Sequence, residues 1–282
     1  MKRAIAAAVL LSVCSGQGTA APAQNVKPMR IMSLKECTDA LLLDLVPTWR
    51  IASLDYLSQE PAALKLWPKA RGLPVNHNTA EEIVAQRPDL IVTDTFMSPA
   101  MRALVVKSGA RMVEVPPPEN FAAIRDATRQ VAAAVGEQAR GEALIADMDA
   151  RLGALAATRP ARAVRVAAWG GGGYVPGRGS LFDAILKEAG ATNIVTGTDG
   201  YYDVESLLAA RPDILAYGDE YNDTPSLRAD QDGHPALLKF YAHRRITYPS
   251  RLYGCGVPES AAAAVRLRAT LKAVMRQRGG VP

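Results

Sequence analysis

The 282-residue chain is poor in histidine and cysteine, with three of each, and aromatic residues make up only 6% of it. So few imidazoles and thiols exclude a zinc finger, an iron–sulfur cluster or a His-rich metal centre built from the protein's own ligands. Nor does any apolar run approach the ~20 residues that a membrane-spanning helix requires. His77, His234 and His243 are widely spaced with no His-Glu-x-x-His pattern, and no Gly-x-Ser-x-Gly elbow is present. Glu81 and Glu82 stand at a predicted helix start, where the macrodipole favours negative charge without catalysis. No catalytic constellation, resident cofactor or protein-held metal is expected.

What is present is 49% hydrophobic residues, 22% charged ones and a formal charge of +5, the balance of a globular chain able to bury a core. The N-terminus accounts for part of the charge. Lys2 and Arg3 precede a ten-residue apolar stretch, Ala4 to Val13, and Ala21-Pro22-Ala23 fits a small-residue cleavage site. Residues 1–23 therefore read as a secretory signal peptide. Its removal leaves 259 residues and a charge of +3. Leu11-Ser12-Val13-Cys14 offers the alternative of lipoprotein processing at Cys14, although Val13 is larger than the residue usual at that position. The remaining Lys and Arg form no aromatic-interleaved stripe, so nucleic acid is not an expected partner. Export places the chain in an oxidising, periplasmic setting.

The mature chain repeats itself. Residues 79–92 and 203–216 align at a constant offset of 124, matching Glu81 with Glu205 and Arg87-Pro88-Asp89 with Arg211-Pro212-Asp213. Each copy predicts a short helix (81–86 and 205–210), stopped because proline disfavours helical geometry in the residue before it. A continuous apolar run follows in each, the pattern of a strand buried on both faces. Arg30–Leu34 and Val164–Trp169 read as strands leading into helices at Thr38–Val46 and Leu181–Ala189. Strand–helix alternation in both halves predicts an α/β fold: two Rossmann-like lobes with mostly parallel sheets. Between them Leu144, Met148, Leu152 and Leu155 recur at helical spacing in a stretch without proline. The expected boundaries are an N-terminal lobe at 24–136, one long inter-lobe α-helix at 137–159 and a C-terminal lobe at 160–282.

The run Trp169-Gly170-Gly171-Gly172-Gly173-Tyr174 follows a strand but fits neither Gly-x-Gly-x-x-Gly nor a phosphate-binding loop, so it reads as a loop leaving room for something bulky. Taken together, these segments resemble the cluster-III periplasmic binding proteins, which feed vitamin B12 and ferric siderophores to ABC importers. The likeness covers nearly the whole mature chain. It rests most on Arg30–Leu34, the two Arg-Pro-Asp segments and Gly179-Ser180-Leu181-Phe182-Asp183. The chain departs from the family at Lys35-Glu36-Cys37-Thr38-Asp39, where members often carry Ser-Pro and Thr-Glu, and this loop borders the family's cleft.

The resemblance implies docking of Glu81 and Glu205, one on each lobe, to arginines of a permease dimer, and a monomeric carrier of a corrinoid or ferric-chelate ligand. In parallel α/β sheets ligands sit outside the carboxyl ends of strands. There the sequence places Ser33, Lys35, Glu36, Tyr56, Asn76, His77 and Phe96 in the first half. In the second it places Trp169, Tyr174, Arg178, Tyr201, Tyr202, Tyr217 and Tyr221. Rings concentrated in loops suit a flat macrocycle. A trianionic ferric catecholate would need converging cations, for which Lys35, Arg102, Arg178 and Arg244 are the candidates. A corrinoid is the expected ligand, with a ferric-siderophore or haem-type chelate as the alternative. A periplasmic α/β hydrolase, or a partner of an outer-membrane receptor, are readings of other classes. Cys37 and Cys255 are the mature cysteines, compatible with a disulfide or with two buried thiols.

Overall fold

The computed structural model describes residues 27–169, 173–219 and 233–279. The expected signal peptide with Cys14, the glycines at 170–172 and Tyr221 lie outside them. The first lobe runs β1 (Ile31–Ser33), α1 (Glu36–Leu45), β2 (Ile51–Asp55), α2 (Pro61–Leu66), β3 (Val75–Asn76), α3 (Ala80–Gln86), β4 (Leu90–Asp94), α4 (Pro99–Ser108), β5 (Arg111–Val115) and α5 (Phe121–Val135). The long α6 (Gln138–Ala157) leads to β6 (Val164–Trp169), β7 (Tyr174–Val175), α7 (Leu181–Ala189), β8 (Ala191–Asn193), β9 (Gly200–Tyr201), α8 (Val204–Ala210) and β10 (Ile214–Gly218). The chain ends through α9 (Pro235–Phe240), β11 (Arg245–Tyr248), α10 (Ser250–Gly254) and α11 (Ser260–Gly279).

The strands form a five-stranded sheet ordered β3-β2-β1-β4-β5 and a four-stranded sheet ordered β11-β10-β6-β8, both parallel throughout. A small antiparallel β7–β9 pair stands apart. The two-lobed, mostly parallel α/β architecture expected from the sequence is thus the one observed. In both lobes the strand after the Arg-Pro-Asp segment pairs with the lobe's first strand, Ile91 opposite Met32 and Leu215 opposite Ala167.

The two repeat copies owe their likeness to one hydrogen-bonding device. Arg87 and Arg211 end α3 and α8 in the left-handed region, at φ 46° and 48°. A side chain there carries a steric cost of about 1 kcal/mol, and in each copy a second arginine offsets it. Arg30 Nη2 donates to the Gln86 carbonyl at 2.5 Å, and Arg165 Nη2 to the Ala210 carbonyl at 2.7 Å. Asp89 accepts from the Met29 and Arg30 N–H groups, and Asp213 from the Arg165 N–H. The proline-terminated helix and the start of the neighbouring strand are therefore one tied unit, twice over.

Helix α6 lies within two residues of its expected ends. Met148 and Leu155 of the stripe are buried, with Leu144 and Leu152 packed at the edge of the same apolar cluster. That cluster runs from Ile31 and Leu42 in the first lobe through Ile145 to Val166, Ile185 and Leu271 in the second. Arg268 of α11 adds a polar tie: its guanidinium donates to the Leu155 carbonyl at 2.5 Å, the Glu188 carbonyl at 2.6 Å and the Ala189 carbonyl at 3.0 Å. The C-terminal ends of α6 and α7 thus share one buried cation, which complements both helix dipoles.

Candidate functional site

The carboxyl ends of the two sheets meet around α10. Cys37, at the start of α1, is bonded to Cys255, just after α10, with Cα atoms 4.9 Å apart. Beside it Arg251 of α10 donates to Glu36 and, at 2.5 Å, to Glu60. Gly256 backs onto Pro118 so closely that a Cβ would come within 2.6 Å of the proline side chain. One covalent bond, one cation held by two carboxylates and one glycine contact therefore clasp the lobes on one side.

Next to this clasp opens a cavity of about 680 Å³. Its floor and walls come mainly from the second lobe: Trp169 at the end of β6, Tyr174, Pro176 and the segment Arg178 to Phe182, Thr198 and Asp199, and Tyr248, Ser250 and Tyr253 around α10. The first lobe contributes Pro117, Pro118 and Glu119, from the loop after β5. Phe182, Tyr248 and Tyr253 form a ring cluster with centroids 4.6–5.7 Å apart. Burial pushes the pKa of the Tyr253 hydroxyl upward.

The wall loops are held tightly. Asp199 accepts from the Tyr174 hydroxyl and from the Gly177 N–H, both at 2.6 Å. Gly177 sits against the backbone of Gly197 and Thr198, and a Cβ would approach their atoms to 2.4 Å. The indole N–H of Trp169 is buried and finds no acceptor among the described residues, leaving a donor with its hydrogen bond unmade.

The expected site residues divide. Trp169, Tyr174 and Arg178 line the cavity, and Tyr201 rests edge-on against Tyr174 at 5.9 Å. Tyr202 is half-buried against the second lobe's core. Tyr56 stacks on His77 at 5.1 Å, and Phe96 is 77% exposed; all three follow strands of the first lobe but stand outside the cavity lining. The cavity is lined by both lobes, with most of the lining from the second and Pro117, Pro118 and Glu119 from the first. Lys35 and Glu36 are engaged, with Asp94 at 4.0 Å and with Arg251.

Three expectations give way. Asn76 is fully buried, its amide donating to the Ser33 and Leu54 carbonyls at 2.8 and 2.9 Å, where it staples β3 to its neighbours. Ser33 is buried against the Thr38 hydroxyl at 2.7 Å, and Tyr217 belongs to the second lobe's core. Residues from Tyr248 to Tyr253 and Pro117 to Glu119 carry no signal in the sequence, because β11 is only four residues long and the proline run reads as a plain loop.

Glu81 and Glu205 are exposed at the second position of α3 and α8, in the same register. Glu82 supports the His77 loop. Although burial works to raise its pKa, hydrogen bonds from the His77 side chain and N–H and from Thr79 lower it to about 2. Asp39 goes the other way: fully buried, its carboxyl is pushed well above the usual range, and hydrogen bonds from Ser33, Ser58 and the Asp55 N–H offset only part of this. Among the described residues no group of three or more His, Cys, Asp or Glu could hold a metal ion. No described helix is long and apolar enough to cross a membrane.

Residues 31–215 match the model of the periplasmic binding protein family, and the chain belongs to that family of solute-binding proteins. Among solved structures it is similar to the periplasmic heme-binding protein RhuT from Roseiflexus sp. RS-1, at 22% identity and a TM-score of 0.72, covering 87% of this chain and 98% of that one. The periplasmic heme-binding protein HutB of Vibrio cholerae matches at 20% identity and a TM-score of 0.72, over 86% and 98%. The periplasmic vitamin B12 binding protein BtuF of Vibrio cholerae matches at 17% identity and a TM-score of 0.65, over 88% and 98%. A search of curated proteins finds no match. These likenesses show the fold, that of the cluster-III binding proteins.

Proposed function

We propose that the chain is an exported, monomeric solute-binding protein. In this reading it holds a corrinoid or related metal chelate between its lobes and delivers it to the permease dimer of an ABC importer without chemistry. The observation that carries the reading is the cavity at the carboxyl ends of the strands, floored by Trp169, walled by Tyr174 and the Phe182–Tyr248–Tyr253 rings, and bordered by both lobes. Tyr174 and Tyr248 offer stiff apolar area to a flat macrocycle, backed by the buried Trp169, Phe182 and Tyr253 rings. A chelated metal brings its own ligands, which suits a protein with so few imidazoles and thiols. The names of the relatives, which bind haem and vitamin B12, support the same class. A haem-type chelate is the second reading, supported by the two heme-binding proteins among the similar structures.

Glu81 and Glu205 are the proposed docking residues, and two charge contacts set far apart give orientation more than affinity. Titration calorimetry with cobalamin, cobinamide, hemin and a ferric siderophore panel tests the capture step. At least one chelate is expected to bind at micromolar affinity or better, and no binding by any of them overturns the reading. The docking step is tested by Glu81→Ala with Glu205→Ala. The pair is expected to abolish importer-dependent uptake while leaving ligand affinity within about two-fold, as for exposed charges remote from the ligand.

A further inference from the structure

Of the four cations considered for a ferric catecholate, three are engaged outside the cavity. Lys35 faces Asp94, Arg102 is paired with Glu114, and Arg244 caps the Phe240 carbonyl and lies over the Tyr241 ring. Among the described residues Arg178 is the one cation in the cavity lining, and it is opposed there by two carboxylates, Asp199 and Glu119. The neighbouring clasp has the same imbalance, with Arg251 set between Glu36 and Glu60. Among the described residues, lining and clasp thus each carry one more negative charge than positive, in a concave site whose low-dielectric walls concentrate the field. An ionised carboxylate only accepts hydrogen bonds. It therefore matches amide N–H or cationic groups, and it repels another carboxylate or a catecholate.

We infer that this cavity selects metal chelates whose outer edge is neutral or positive and rich in N–H donors, such as amide-bearing corrinoids, and discriminates against anionic chelates. The inference rests on the chelate-binding reading above. Glu119 is its specificity-determining residue from the first lobe. It is exposed and makes no ion pair among the described residues, so its charge acts on the ligand and supports no other contact. Asp199 contributes charge from the second lobe while holding Tyr174 and Gly177 in place.

The test compares four probes on the purified mature protein: cobinamide as a cation, cyanocobalamin as a neutral corrinoid, hemin with two propionates, and a ferric tris-catecholate trianion. At low salt the first two are expected to bind at least ten-fold more tightly than the last two. The gap should narrow as salt screens the field. Glu119→Gln, which disturbs no hydrogen bond among the described residues, is expected to bring the anionic probes at least three-fold closer to the neutral one. Tighter binding of hemin or the catecholate than of cobinamide, or a gap indifferent to both salt and Glu119→Gln, overturns the inference and leaves the chelate-binding reading standing. Failure of all four probes to bind overturns both.

Discussion

Two buried or half-buried carboxylates in the first lobe respond to pH in opposite directions. The folded-state pKa of Glu82 lies at about 2, below its ordinary value, so its contribution to stability is present above the unfolded pKa and is lost as pH falls through about 2. Replacing it by Gln should cost about 1 kcal/mol at pH 7, given its partial solvation, and nothing near pH 2. Asp39 is raised, so its folded state holds the proton more tightly than the unfolded chain does. Its contribution is complete below the unfolded pKa and is lost as pH rises through the folded one. Asp39→Asn should therefore raise the melting temperature at pH 7 more than at pH 4. Thermal melts of the two variants at pH 2.5, 4 and 7 check both signs. A common direction for the pair would contradict the assigned environments.

At the scale of elements, the arginine clamps do more than the helix sequences could alone. Helices α3 and α8 are seven residues each, too short to persist without tertiary support. Each is anchored at its C-terminus by an arginine at the start of its lobe's first strand, Arg30 just before β1 and Arg165 within β6, and at its N-terminus by a cap, Thr79 or Asp203. The proposed docking residues thus stand on firm mounts. Arg268 serves α6 and α7 in the same way, and its removal leaves three buried carbonyls without their donor. Arg268→Met is expected to lower unfolding free energy by about 2–4 kcal/mol while keeping apolar volume. Denaturant melts measure this, and a loss under about 1 kcal/mol would show that water replaces the guanidinium.

For the whole molecule, the disulfide, the Arg251 cluster, α6 and the shared apolar core all join the two lobes. So many ties leave little freedom for hinge rotation, and solution scattering should find radii of gyration with and without ligand equal within about 1 Å. A larger change would mean that the clasp opens. The disulfide joins residues 218 apart in the chain, a long constraint on the unfolded state. Cys37→Ser with Cys255→Ser is expected to cost about 3 kcal/mol, read as a fall in melting temperature of roughly 6–12 °C. Thiol titration of untreated, denatured protein should find neither cysteine reactive.

The elements are legible in the sequence because the rules behind them are local. The Arg-Pro-Asp segments stop helices through proline sterics. The apolar runs at Leu90–Val92 and Ile214–Ala216 declare buried parallel strands, and the Leu144–Leu155 stripe declares the long helix. All of these depend on neighbours within a few residues. The site does not follow from such rules. Asn76 sits in a loop-like sequence yet lies inside the sheet, and Tyr217 is a strand-end ring turned into the core. Tyr248, Tyr253 and Pro117–Glu119 line the cavity although nothing around them in sequence marks them. Scarcity of histidine and cysteine is a property of composition, and it counts against a carrier that must supply every ligand to a bare metal ion. Which rings face the cavity, and which cations are already paired, are properties of the folded chain. They depend on contacts across more than a hundred residues, such as Glu36 with Arg251, whose closeness no local pattern encodes.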